Sequence, residues 1–241
     1  MTSVSSISQA VGELAGVFGG QLIQPTDPGY EEARRVHNGL VNKRPVLVAR
    51  CKGTADIVDA LSLGRKLNLE VAVRGGGHNV AGRGSTDGGL VIDLAPMKGI
   101  HVDPKARTAR AQGGVTWAEF NRETQIHGLA CTGGVVSTTG IAGLTLGGGL
   151  GWLMGKHGLA LDSLLSVNIV TADGRMLVAN AAENADLFWA VRGGGGNFGV
   201  VGSFEYRVHP VGPQVTGGLI AYPFERARDV LRHFQIGRAH V

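Results

Sequence analysis

Apolar residues recur at helical intervals along the first stretch of the chain: Val4, Ile7, Val11, Leu14 and Phe18, followed by Gly19-Gly20. The spacing predicts an amphipathic helix over residues 3–18 with a glycine stop. Residues 21–44 keep no period, hold Pro25 and Pro28, and read as irregular. An apolar run over 45–51 predicts a strand. Thr54 can then cap a helix whose stripe is Ile57, Val58, Leu61 and Leu67. The run 69–73 predicts a second strand, and strand, helix and strand with short joints imply a right-handed parallel crossover.

The turn Asp87-Gly88-Gly89 leads into another apolar strand over 90–94. Residues 99–102 and 108–111 flank Asp103-Pro104 and predict a hairpin. Thr116-Trp117-Ala118-Glu119 fits a capping box, opening a helix that Gly128 closes. Residues 131–158 are dominated by glycine and small residues and read as a compact folded loop. Asp173-Gly174 sits between the strand-like runs 166–171 and 176–179, a second hairpin. A short helix over 184–191 and an alternating strand over 200–208 follow. Pro210 and Pro213 mark a boundary, after which 217–234 read as one strand and one helix of another unit. The pattern is α+β, with a small parallel part before residue 100 and a mostly antiparallel part after it.

Composition narrows the function. The 241 residues are 43% hydrophobic, ordinary for a globular protein, and the net charge of +4 is too small and dispersed for a nucleic-acid surface. Arg34-Arg35 and Lys43-Arg44 read as solvated surface. No apolar run approaches the ~20 residues of a membrane span. No basic, then apolar, leader opens the chain, and Cys51 and Cys131 form no CxxC pair. Free thiols in a cytoplasmic protein are the expectation. The eight histidines show neither HxH nor HExxH spacing, so no metal site is expected.

Glycine is the outlier, with 40 residues gathered in blocks. Arg74-Gly75-Gly76-Gly77-His78-Asn79 comes straight off a strand-like run, and such a row of free amides is a nest for a phosphate or pyrophosphate. Alone, the turn also fits a glycine bend with an exposed histidine. Gly194-Gly195-Gly196-Asn197-Phe198-Gly199 matches G-x-G-x-x-G, but a helix precedes it and a strand follows, the reverse of a Rossmann site. Gly155-Lys156 lacks both the first glycine and the Ser or Thr of a P-loop, and Ser137-Thr138-Thr139 lacks a nucleophile elbow.

Taken together, the blocks carry a resemblance. Val71–Gly82 with Asp87–Leu94, then Gly140–Gly151, then Asp186–Val201 resemble, in order, the three flavin-binding motifs of berberine bridge enzyme-like oxidoreductases. Those enzymes belong to the vanillyl-alcohol oxidase superfamily, with its PCMH-type FAD-binding domain. The resemblance implies that Arg74, Gly75, Gly76, Gly77, His78 and Asn79, with Gly82 in the same motif, hold the FAD pyrophosphate. It implies that His78 bonds the flavin 8α carbon through a ring nitrogen. Ser137, Thr138, Gly140 and Gly143 would line the isoalloxazine and pyrophosphate, Gly148 and Gly149 would allow close approach to a flat ligand, and Val200 would face the adenine. Val136 stands where many members carry a second flavin-linking cysteine, so the histidine-only branch is expected, with Cys131 a buried small residue.

The implied reaction takes a hydride from a small-molecule C–H (alcohol, amine or sugar) to FAD, and dioxygen then accepts the electrons to give hydrogen peroxide. The implied layout is a lead-in over 1–40, the FAD domain over 41–211 and the start of a substrate domain over 212–235. The chain is therefore expected to be a fragment that lacks the catalytic base. Residues 236–241 resemble one reading frame of a sequencing adaptor and are expected to be non-native. Two alternatives stand: a flavin-binding module without turnover, and a non-redox nucleotide-binding protein using the same nests.

Overall fold

Residues 4–238 are described by a computed structural model, which divides into the compact units Met1–Val211 and Gly212–Val241. Helix α1 (Val4–Ala15) stops earlier than its stripe predicts, because the N–H groups of Val17 and Phe18 both turn back onto the Leu14 carbonyl. The expected start at Ser3 lies outside the described residues. Ile7, Ala10, Val11 and Phe18 are buried in one core with the strands that follow.

Residues 21–44 are more ordered than their pattern suggests. Strand β1 (Gln21–Ile23) and helix α2 (Tyr30–Ala33) are each too short to express a period. They are held by tertiary bonds, and the buried Tyr30 hydroxyl donates to the Pro45 carbonyl at 2.7 Å. Strand β2 (Leu47–Arg50) leads to helix α3 (Thr54–Lys66). Thr54 is not its cap: Gly53 occupies that position, and Asp56 reaches back to the Lys52 N–H at 2.7 Å while also accepting the Gly19 N–H at 2.8 Å. Strands β3 (Val71–Arg74) and β4 (Leu90–Asp93) complete a sheet of order β1-β2-β4-β3. β2 and β3 both run parallel to β4, which lies between them with every side chain buried. A central strand apolar up to its closing Asp93 is what a parallel sheet covered on both faces requires.

The chain then becomes antiparallel. Strands β5 (Ile100–Asp103) and β6 (Thr108–Gln112) form the hairpin, and Asp103 Oδ1 accepts the Lys105 and Ala106 N–H groups across its turn. Helix α4 (Trp117–Gln125) opens with the Thr116 N–H donating to Glu119 at 2.8 Å. The stretch 131–158, expected as a loop after β7 (Leu129–Ala130), contains helices α5 (Ile141–Leu146) and α6 (Met154–His157). Burial of Ile141, Ala142 and Leu146 stabilises α5, whose few residues are too brief to read as a stripe. Strands β8 (Leu164–Val170) and β9 (Met176–Asn180), helix α7 (Ala185–Val191), and strands β10 (Val200–Arg207) and β11 (His209–Pro210) finish the unit. The second sheet has the order β5-β6-β10-β8-β9, and β11 pairs with β7. Trp117, Phe120, Phe204 and Tyr206 are fully buried over this sheet, the Phe120 and Tyr206 rings meeting edge to face at 5.3 Å.

In the second unit α8 (Ala227–Arg238) follows a short 3-10 turn. The strand expected within 217–234 does not form: no strand is present among the described residues of this unit. Val215, Leu219 and Ile220 are exposed, and an isolated extended segment has no ladder to join. Of the expected tail, residues 239–241 lie outside the described residues. No helix among the described residues is long and apolar enough to cross a membrane.

Removing the Phe120 ring should leave a cavity in the second core and lower the unfolding free energy by about 3–5 kcal/mol. Urea denaturation of Phe120→Ala checks this, with Ile126→Ala, on the exposed helix end, expected within about 0.5 kcal/mol of the parent.

Candidate functional site

The parallel register brings three charged strand ends into one row. Arg50 ends β2 and pairs across the ladder with Asp93, which ends β4, and Asp93 pairs in turn with Arg74 at the end of β3. Asp93 is buried. Its carboxylate takes Arg74 Nη2 at 2.9 Å and Arg50 Nε at 3.3 Å, and the Ala95 N–H donates to it at 3.1 Å. Two guanidiniums share one carboxylate, so this edge of the sheet keeps a positive excess suited to an anion. Arg74 Nη1 also donates to the Arg35 carbonyl at 2.9 Å.

The glycine turn begins at the next residue. Among the described residues, the amides of Gly76, Gly77, His78 and Asn79 donate to no protein acceptor, which leaves them free for a ligand. Gly77 has φ +71°, natural only for glycine. At Gly76 a Cβ would stand 2.2 Å from the Gly140 nitrogen, and at Gly140 a Cβ would stand 2.4 Å from the Gly76 nitrogen. The first two glycine blocks therefore touch backbone to backbone. Gly193 and Gly195 both donate to the Leu146 carbonyl, which ties the third block to the end of α5.

This contact sets the surroundings of His78. Thr138 Oγ1 lies 3.1 Å from His78 Nε2, and Thr139 Oγ1 lies 3.4 Å from Nδ1. The His37 ring stacks on His78 with centroids 3.9 Å apart. Burial, followed by the facing His37, holds the His78 pKa below its ordinary value, so the ring stays neutral where a free histidine begins to protonate. A cavity of about 980 Å³ opens beside the turn, between Gly75–His78 and the segment carrying β1, α2 and His37.

Of the expected site residues, Arg74, Gly75, Gly76, Gly77, His78 and Thr138 line this cavity. The Ser137 carbonyl accepts the Ala118 N–H at 2.9 Å, and Gly140 lies against the Gly76 backbone. Asn79 closes its own loop, its carbonyl bonded to the Gly82 N–H and its side chain to the Arg83 N–H. Gly82 packs against Val41. Gly143 sits on an open face of α5, and Gly148 and Gly149, both at positive φ, pack against Leu159, Leu161, Ala160 and Leu144. Val200 is buried in the first core and paired with Val170. None of Ser137, Gly140, Asn79, Gly82, Gly143, Gly148, Gly149 and Val200 belongs to the cavity wall.

Sequence reasoning missed Arg50, Asp93, Arg35 and His37. An aspartate closing an otherwise apolar strand was the available signal for Asp93 and its cationic partners. His37 had none, because its segment shows no period.

A mixed parallel and antiparallel domain with a free-amide nest at a parallel strand end defines a binding domain for a phosphate-bearing cofactor. Residues 45–180 match the family described as FAD binding domain, and the chain belongs to that family. It is 38% identical over 203 residues to (R)-6-hydroxynicotine oxidase of Paenarthrobacter nicotinovorans, covering 84% of this chain and 44% of that protein. The crystal structure of 6-hydroxy-D-nicotine oxidase from Arthrobacter nicotinovorans superposes with a TM-score of 0.79 at 39% identity, over 80% of this chain and 43% of the other. An Acremonium strictum glucooligosaccharide oxidase, whose structure is described as revealing a novel flavinylation, matches at TM-score 0.77 and 32% identity, over 84% and 42%. The chain thus spans less than half the length of these relatives.

Gly76→Ala should separate the two glycine blocks and abolish FAD binding, because backbone, not a yielding side chain, blocks the added methyl. Gly143→Ala should leave the melting temperature unchanged or raised, since nothing lies within 4 Å and alanine suits a helix better by about 0.5–1 kcal/mol. Thermal unfolding and FAD titration of both variants test the contrast.

Proposed function

We propose that this chain is the FAD-holding part of an oxidase in which His78 carries the flavin covalently. The observation that carries the reading is a histidine, its pKa held low by burial, at the end of a row of unpaired amides. The residues present fit the cofactor: the amides of Gly76 to Asn79 and the Arg50–Asp93–Arg74 edge suit a pyrophosphate, and the adjoining cavity is large enough for a dinucleotide. When bound, FAD would take a hydride from a small-molecule alcohol, amine or sugar carbon and pass the electrons to dioxygen.

The chain's own residues would bind and orient. His78 offers an unprotonated nitrogen, the form that acts as a nucleophile. Thr138 and Thr139 stand at its two nitrogens and can serve either tautomer. A second link through cysteine has no support in the geometry. Cys131 is buried in the second core, with its thiol pushed up to about 12 by burial, and Val136 occupies the exposed loop position.

Intact-mass spectrometry of the denatured protein, expressed with ample riboflavin, should show one FAD adduct that His78→Ala lacks. Peptide mapping should return flavin only on the peptide containing His78. An unmodified mass in the parent would sink the covalent reading, and flavin on a Cys131 peptide would refute the single link.

A further inference from the structure

The second wall of the cavity carries His37, and its imidazole lies flat on that of His78, with the planes 12° apart. Main-chain bonds build this stack. The His37 N–H donates to the Gly77 carbonyl at 3.0 Å, Arg74 Nη1 donates to the Arg35 carbonyl at 2.9 Å, and Asn38 Nδ2 donates to the Val80 carbonyl at 2.9 Å. Bonds on both sides of His37 thus fasten residues 35–38 to the glycine turn. With His37 across one face and two threonine hydroxyls at its nitrogens, the His78 ring has little freedom to rotate.

We propose that His37 is a positioning residue for His78, holding that imidazole in the plane from which its nitrogen bonds the flavin. The inference rests on the covalent-flavin reading above. After burial, the facing His37 is the second cause of the depressed His78 pKa, since a positive charge on one stacked ring repels one on the other. The other charged groups along the cavity are Arg35, Arg50 and Arg74, which oppose protonation, and Asp27, Glu32 and Asp93, which favour it. Of these, Asp93 is already shared by two guanidiniums. Attachment exchanges one imidazole N–H and one 8α C–H for an N–C bond, and the two protons and two electrons released pass to dioxygen as hydrogen peroxide.

The test uses the full 241-residue chain prepared free of flavin, as parent, His37→Phe and His37→Ala. Two quantities are read: the titration of His78 by imidazole NMR, and the rate at which added FAD in air becomes acid-stable, as a function of pH. His37→Phe keeps a flat ring without a charge. Its rate at pH 8 should match the parent, while the His78 midpoint and the acid limb of the rate profile both move to higher pH. His37→Ala should be slower at pH 8 by about 2- to 10-fold, the worth of one aromatic stacking pair. Circular dichroism and urea midpoints confirm folding, and the phenylalanine variant keeps the test decisive if the alanine variant fails to fold. An unmoved His78 midpoint and acid limb in His37→Phe, or a parent-like rate at pH 8 in a folded His37→Ala, overturns the proposal. A parent that never takes up acid-stable FAD, while its His78 midpoint still depends on residue 37, overturns the flavin reading instead, and with it the attachment role.

Discussion

Asp93 ends a fully buried strand and is itself buried, so its charge must be compensated inside the protein. The compensation comes from the neighbours that the parallel register supplies, Arg74 on one side and Arg50 on the other. Removing one partner of a buried pair of this kind costs about 3–5 kcal/mol, because the remaining charge is stranded. The same arrangement fixes the end of β3 and the take-off direction of the glycine turn. It also aims a positive sheet edge at the cavity and, through Arg74 Nη1, draws in the 35–38 segment.

The antiparallel half meets this edge at one place where side chains are forbidden. Gly76 and Gly140 approach so closely that a Cβ on either would overlap the other's backbone. Through that contact the loop over 137–139 reaches His78, while the Thr139 and Ser137 carbonyls accept the Trp117 and Ala118 N–H groups at the start of α4. The site is therefore assembled from a strand end, a helix start and a loop whose relative positions are set mainly by backbone hydrogen bonds. Such a frame can present free amides and a neutral imidazole without reorganising when a ligand arrives.

Much of the fold was legible because its causes are local. The stripe of α3, the hairpin turns at Asp103-Pro104 and Asp173-Gly174, the capping box of α4 and the nest after a strand all follow from residues a few positions apart. The misses share a different cause. β1 and α2 exist because β2 and the Pro45 carbonyl hold them, and Gly53 caps α3 in place of Thr54 while Asp56 ties the Lys52 and Gly19 amides to the helix start. The apolar residues after Gly217 look like a strand, yet an extended segment without a partner gains no ladder bonds.

By itself the sequence determined the α+β character, the order of most elements and the glycine-histidine turn, since period, capping and turn chemistry act over a few residues. Only the tertiary structure decided what surrounds that turn. Arg74 and Asp93 lie 19 residues apart in the chain, His78 and Thr138 lie 60 apart, and His37 stacks on His78 from a segment with no pattern at all. Strand register and backbone contacts between distant glycines bring these groups together, and no local rule of the chain encodes such pairings.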